Sequence, residues 1–232
     1  MNVHNSSDRA GFFTGIFLFI LFFAAWYWSL FIVGSEMHQG EVYRIIYLHV
    51  PSAVCAFAAS FALFVCSALT LRSNRPFLVS LARASAEVGL LFTVLTLITG
   101  SIWGKPTWGT WWTWDGRLTT TFILAILFCG YLILWNSITS VQARRKACAV
   151  VGIMIFADVP IIYKSVTWWR TLHQPPSLMR GDGPTMSPEI YTVLISAIII
   201  TLLVCGWLVW QRSINLNLSD RIETETWRKM EG

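Results

Sequence analysis

Two histidines and a run of tryptophans carry most of the chemistry this sequence can do. His49 stands in Leu48-His49-Val50-Pro51 and His173 in Leu172-His173-Gln174-Pro175. Both read Leu-His-x-Pro, a pattern too short to be an internal repeat. Tyr47 lies two residues before the first and Trp169 four before the second. A single loop histidine is more often a hydrogen-bonded surface residue than a ligand. Two on one side of a membrane, each beside aromatics, point to metal ligation by neutral imidazoles. A bare zinc ion wants three or four protein ligands, and no further Cys or acidic cluster stands near either histidine. Iron in a porphyrin suits the pair better, because the macrocycle supplies four nitrogens and leaves only the axial positions to the protein. His4, in the amino-terminal segment, and His38, in a loop without aromatics, have no such company.

The second feature is Trp103-Gly-Lys-Pro-Thr-Trp108-Gly-Thr-Trp111-Trp112-Thr-Trp114-Asp115-Gly-Arg117. Five of the chain's 13 tryptophans fall within it. Tryptophan favours membrane interfaces, which is enough to explain Trp26 and Trp28, but interfacial belts supply one or two per helix end. A short helix over 107–115 would put Trp108, Trp111, Trp112 and Asp115 on one face by three- and four-residue spacing. The result is an aromatic platform for a large planar ligand. Gly104, Pro106 and Gly109 mark the segment as a shaped loop. Arg44 and Arg117 are candidate partners for a ligand's carboxylates, through charge-assisted forks. Asp115 is placed to orient either a histidine or Arg117.

The elements that position these residues are membrane helices. The 232 residues are 55% hydrophobic and 12% charged. Apolar runs long enough to span about 30 Å of hydrocarbon recur at roughly 11–33, 45–71, 84–102, 118–138, 147–167 and 190–211. Continuous runs, without the alternation of barrel strands, predict an all-α membrane protein of six spans in one domain over 1–232. The first run is too long for a signal-peptide core and is expected to be retained. Segment 103–117 joins the third and fourth spans, and 212–232 forms a charged tail.

Charge sets the orientation. Of the 17 Lys and Arg, 11 fall on the side of the two termini with the 72–83 and 144–146 turns, and 6 on the other. The richer side is expected to be cytoplasmic, so both histidines and the tryptophan segment face outward. The net charge of +5 therefore belongs to membrane topology and does not point to nucleic acid. The five cysteines form no CxxC or CxxCH and read as buried hydrophobes. Asp158, two residues before Pro160 in the fifth run, is either an intramembrane functional carboxylate or a partner for backbone freed by the proline. Glu87 is expected to pair with Arg83.

The tryptophan segment, flanked on either side in sequence by a histidine, resembles the "WWD" signature of a superfamily of haem-handling membrane proteins. Size and span number resemble the cytochrome c maturation protein C (haem exporter protein C, CcmC) family within it. Arg44–Pro51, Trp103–Thr119 and Asp158–Pro175 carry the likeness. The sister families CcmF and CcsA are longer. The resemblance implies that His49 and His173 are axial ligands of a non-covalent, b-type haem, and that Trp103, Trp108, Trp111, Trp112, Trp114 and Asp115 contact it on the outer side. It also implies presentation of haem to the chaperone CcmE, in a complex with the ABC-transporter subunits CcmA and CcmB and the small subunit CcmD. The setting would be a bacterial cytoplasmic (inner) membrane or the mitochondrial inner membrane. The protein would be no enzyme: it has no GxxxxGK[ST] loop, so ATP hydrolysis would fall to partners. Two rivals stand beside this expectation. A haem b subunit of a quinone oxidoreductase would want histidines deeper in its helices. A transporter of another solute would want a polar path beyond Asp158 and a few hydroxyls.

Overall fold

The computed structural model describes residues 3–73, 75–174 and 186–231. The described residues form six long helices: α1 (Val3–Tyr27), α2 (Ile46–Arg72), α3 (Pro76–Trp108), α4 (Gly116–Ser137), α5 (Val141–Trp168) and α6 (Pro188–Glu231). A wide turn over Trp28–Ile32 extends α1, and a tight turn over Glu41–Ile45 leads into α2. All six helices are long and apolar enough to cross a membrane, so the chain is an all-α, six-span membrane protein. An even number of spans puts both chain ends on one side of the bundle and the histidine segments on the other.

The helix starts follow local chemistry. Pro76 occupies the first turn of α3, where its missing N–H costs nothing. Asp115 caps α4 by accepting from the Leu118 backbone N–H, and Ser140 caps α5 through the N–H of Ala143. Several stretches differ from expectation. α5 begins at Val141, so Arg144, Arg145 and Lys146 lie inside its first turns and not in a turn between helices. α3 begins at Pro76, so Arg83 lies inside a helix and not in a turn. There its guanidinium meets Glu87 at 3.2 Å, while Glu87 also binds Arg212 of α6. α3 also runs through Gly104 and Pro106 to Trp108, because one proline near a helix end removes a single hydrogen bond. It stops at Gly109, whose φ of +80° is a left-handed cap open to glycine. Finally, α6 continues past Gln211 to Glu231, since no Gly or Pro after Gly206 interrupts it.

α2 and α3 form the centre of the bundle, with α5 and α4 on one side and α6 on the other. The main core joins Leu63 and Cys66 of α2, Ala82 and Ala86 of α3, Phe128 and Tyr131 of α4, and Ile155 and Ile162 of α5. Among the long helices, α1 packs chiefly against α6. A Cβ on Gly15 would lie 2.3 Å from the Trp207 ring, and the Trp207 indole N–H donates to the Gly11 carbonyl at 3.2 Å. Small residues four apart let the two backbones approach. The rest of α1 presents Phe12, Phe13, Phe17 and Phe23 outward, as expected of a face against lipid.

A candidate ligand site of paired imidazoles

His49 sits in the first turn of α2 and His173 in the segment after α5, 124 positions apart in sequence. The fold brings their rings together, with centroids 6.4 Å apart and planes inclined at 34°. Both are half-buried. Trp103 packs edge-on against His49 at 5.8 Å, and Trp108 lies 6.1 Å from His173. The Trp103 indole N–H donates to Gln39 Oε1 at 2.8 Å, and Tyr43 closes the far edge of the ring.

Each imidazole has one nitrogen engaged. His173 Nδ1 lies 3.1 Å from the Gln174 carbonyl, which can only accept, so Nδ1 carries the proton and Nε2 keeps its lone pair. His49 Nδ1 lies 3.0 Å from Thr99 Oγ1 on α3. Two nitrogens about 2 Å from a shared metal would put their ring centroids about 6 Å apart, close to the separation here. Burial, and then the nearby Arg117 charge, push the His173 imidazole down to about 4, so it is neutral at pH 7. Among the described residues, no group of three or more His, Cys, Asp or Glu gathers as a site for a bare ion.

Asp115 reaches this pair indirectly. One carboxylate oxygen caps α4; the other accepts from the Thr171 hydroxyl at 2.7 Å, and Thr171 Oγ1 in turn accepts from the His173 backbone N–H at 3.0 Å. The carboxylate thus ties the His173 segment to the start of α4. Thr99 and Thr171 are among the residues that sequence reasoning missed. Their contacts cross 50 and 56 positions, and no local spacing marks them.

The five tryptophans are not one platform. Residues 109–115 form an irregular segment and not a short helix, so Trp108, Trp111, Trp112 and Asp115 do not share a helical face. Trp103 and Trp108 attend the histidines. Trp112 and Trp114 pack on each other and on Phe122 of α4, and with Leu97, Ile98 and Ile102 they line a shallow groove. At about 100° per residue, residues 97, 98, 101 and 102 of α3 lie opposite 96, 99, 100 and 103. The outer end of α3 therefore stands between groove and imidazoles. Trp111 is exposed. The Trp112 indole nitrogen is buried without a hydrogen-bond partner, as are the hydroxyls of Thr113 and Thr119.

The two candidate arginines differ. Arg44 binds the Glu41 carboxylate and the Ser29 carbonyl, and it lines a separate groove with Trp26, Leu30 and Leu48 beside α1. Arg117 is half-buried, forms no ion pair among the described residues, and lies within electrostatic reach of both histidines. Asp158 is buried on the α5 stripe that also carries Gly152, Ile155, Ile162 and Ser165, and its Oδ2 has no partner. Ser165 touches the start of α4 at Gly116, so Asp158 lies about 10 Å deeper along α5. Pro175 and the rest of 175–185 lie outside the described residues.

Fold and site together define a six-span helical membrane protein with two facing imidazoles under an aromatic cover. Residues 2–228 match the family described as Heme exporter protein C. The relative of that name in Bradyrhizobium diazoefficiens is 38% identical over 170 residues, 73% of this chain and 65% of the relative. The one in Escherichia coli is 35% identical over 193 residues, 83% of this chain and 78% of the relative. A cytochrome c biosynthesis ccmC-like mitochondrial protein of Marchantia polymorpha is 40% identical over 185 residues, 78% of this chain and 77% of the relative. The chain belongs to the Heme exporter protein C family. With six spans and relatives from bacteria and mitochondria, it is a multi-pass inner-membrane protein.

Proposed function

We propose that this protein holds haem at the outer, periplasmic end of the bundle between His49 and His173 and presents it to the haem chaperone CcmE. Family membership supports a part in haem export for cytochrome c biogenesis. The finer reading rests above all on one observation: two imidazoles distant in sequence face each other at 6.4 Å. Haem here is cargo, bound non-covalently as a b-type haem through its iron. The protein's own groups ligate it, cover it and balance its charge. Trp103 and Trp108 shield the axial ligands from water. Arg117, which forms no ion pair among the described residues, suits a propionate better than Arg44, which Glu41 already neutralises. Trp112 and Trp114 line the groove on the other side of α3 and stay outside this seat. Asp115 acts through Thr171. CcmA and CcmB would supply ATP hydrolysis and CcmD would complete the assembly; this chain is a haem-handling subunit.

The test is the absorption spectrum of the purified protein beside His49→Ala and His173→Ala, each co-produced with CcmE. A haem spectrum in the parent, weakened or altered in both variants together with lost CcmE haemylation, is expected. Normal haemylation in both variants would overturn the reading.

A further inference from the structure

The seat beneath His49 is built by one face of α3. Thr99 Oγ1 lies 2.6 Å from the Leu95 carbonyl one turn back and 3.0 Å from His49 Nδ1. Two oxygens that close attract only with a hydrogen between them, and a carbonyl has none to give. The hydroxyl hydrogen is therefore committed to Leu95, and the lone pairs of Oγ1 face the imidazole. Nδ1 must then be the donor. Thr99 is only 3% exposed, so water does not compete for this bond. The next residue lets the ring come close: a Cβ on Gly100 would stand 3.0 Å from His49 Cε1 and 3.5 Å from Nδ1. Thr99 grips the ring and Gly100 leaves it room.

We infer that the Thr99 hydroxyl is the positioning group for His49, holding the ring in the Nδ1–H tautomer with Nε2 free to ligate. This rests on the proposed axial ligation and adds to it the residue that sets which nitrogen is presented. His173 reaches the same tautomer by another route, through the backbone carbonyl of Gln174. A partner hydrogen-bonded to the far nitrogen of a ligating histidine fixes the ring's orientation and raises its basicity, and its loss commonly costs 10–100-fold in metal affinity. Without the hydroxyl, the ring N–H would keep only the nearby Thr96 backbone carbonyl, and the ring would be freer to turn.

The experiment compares full-length, haem-loaded parent with Thr99→Val, which keeps the side chain's shape, and Thr99→Ser, which keeps its hydroxyl. Thr99→Ala stands in should valine disturb packing. Haem loss is followed by transfer to apomyoglobin, and ligand geometry by the electron paramagnetic resonance of the ferric low-spin form. Thr99→Val is expected to speed haem loss by about 10–100-fold and to shift the low-spin g values, and Thr99→Ser to restore both. Parent-like behaviour of Thr99→Val, or equal defects in valine and serine variants, would overturn the inference while the His49→Ala defect left axial ligation standing. A His49→Ala variant that retained the parent's haem signal would overturn both.

Discussion

At the scale of single residues, the two imidazoles are held unequally. His49 is fixed from a neighbouring helix by Thr99, whereas His173 leans on the carbonyl of its own neighbour and is steadied through its backbone by Thr171. Because the His173 value is lowered from 6.5 to about 4, its neutral, ligating form persists far into the acid range. Between those values the unfolded chain binds the proton and the folded one does not. The neutral ring's contribution to stability is thus present in full above pH 6.5 and declines as pH falls toward 4. Haem retention, followed by transfer to apomyoglobin, should stay flat from about pH 8 to about pH 5.5 and fall only as about pH 4 is approached. A break near pH 6.5 would mean that His173 is solvated.

At the scale of elements, the start of α4 serves stability and site at once. Asp115→Ala removes a helix cap, at about 1 kcal/mol, and also frees the His173 segment. Thr171→Val leaves the cap intact and cuts only the link. Thermal unfolding should therefore drop for Asp115→Ala alone, while haem loss quickens in both. An unchanged rate in Thr171→Val would show that His173 does not need the carboxylate. The helices that carry these parts were readable because runs of some 20 uncharged residues leave few alternatives inside a bilayer. Their ends were harder to read. By residue type Arg83 belongs in a turn, but Glu87 and the Trp135 ring, 5.3 Å away, accommodate its charge inside α3. His49, His173 and Asp115 announced themselves by residue type and neighbours; Thr99, Gly100 and Thr171 did not, because each acts through a contact distant in sequence.

At the scale of the whole molecule, the two ends of the bundle differ in chemistry. The end bearing the termini gathers Arg83, Glu87, Arg144 and Arg212, with Arg83 and Arg144 both near the Trp135 ring. The opposite end gathers histidine and tryptophan. The close contact of α1 with α6, at Gly11, Gly15 and Trp207, lies toward the end of the bundle that bears the termini. Gly15→Leu should therefore cost stability, by about 1–3 kcal/mol of overpacking against Trp207, with haem affinity little changed. A haem defect as large as that of His49→Ala would mean that α1 braces the site. The Gly11–Gly15 pair illustrates the limit of sequence reading, since two glycines in an apolar run mark a close approach without naming the helix that approaches.

α3 presents Thr99 and Gly100 to an imidazole on one side and Ile98 and Ile102 to the aromatic groove on the other. In genetic terms, its length matters more than most of its letters. Losing or gaining one residue between Phe92 and Thr96 would turn everything beyond it by about 100°, carrying Thr99 away from His49 and swinging the tryptophan segment with it. Point changes on the groove side should be borne far better than any single-codon deletion in that stretch.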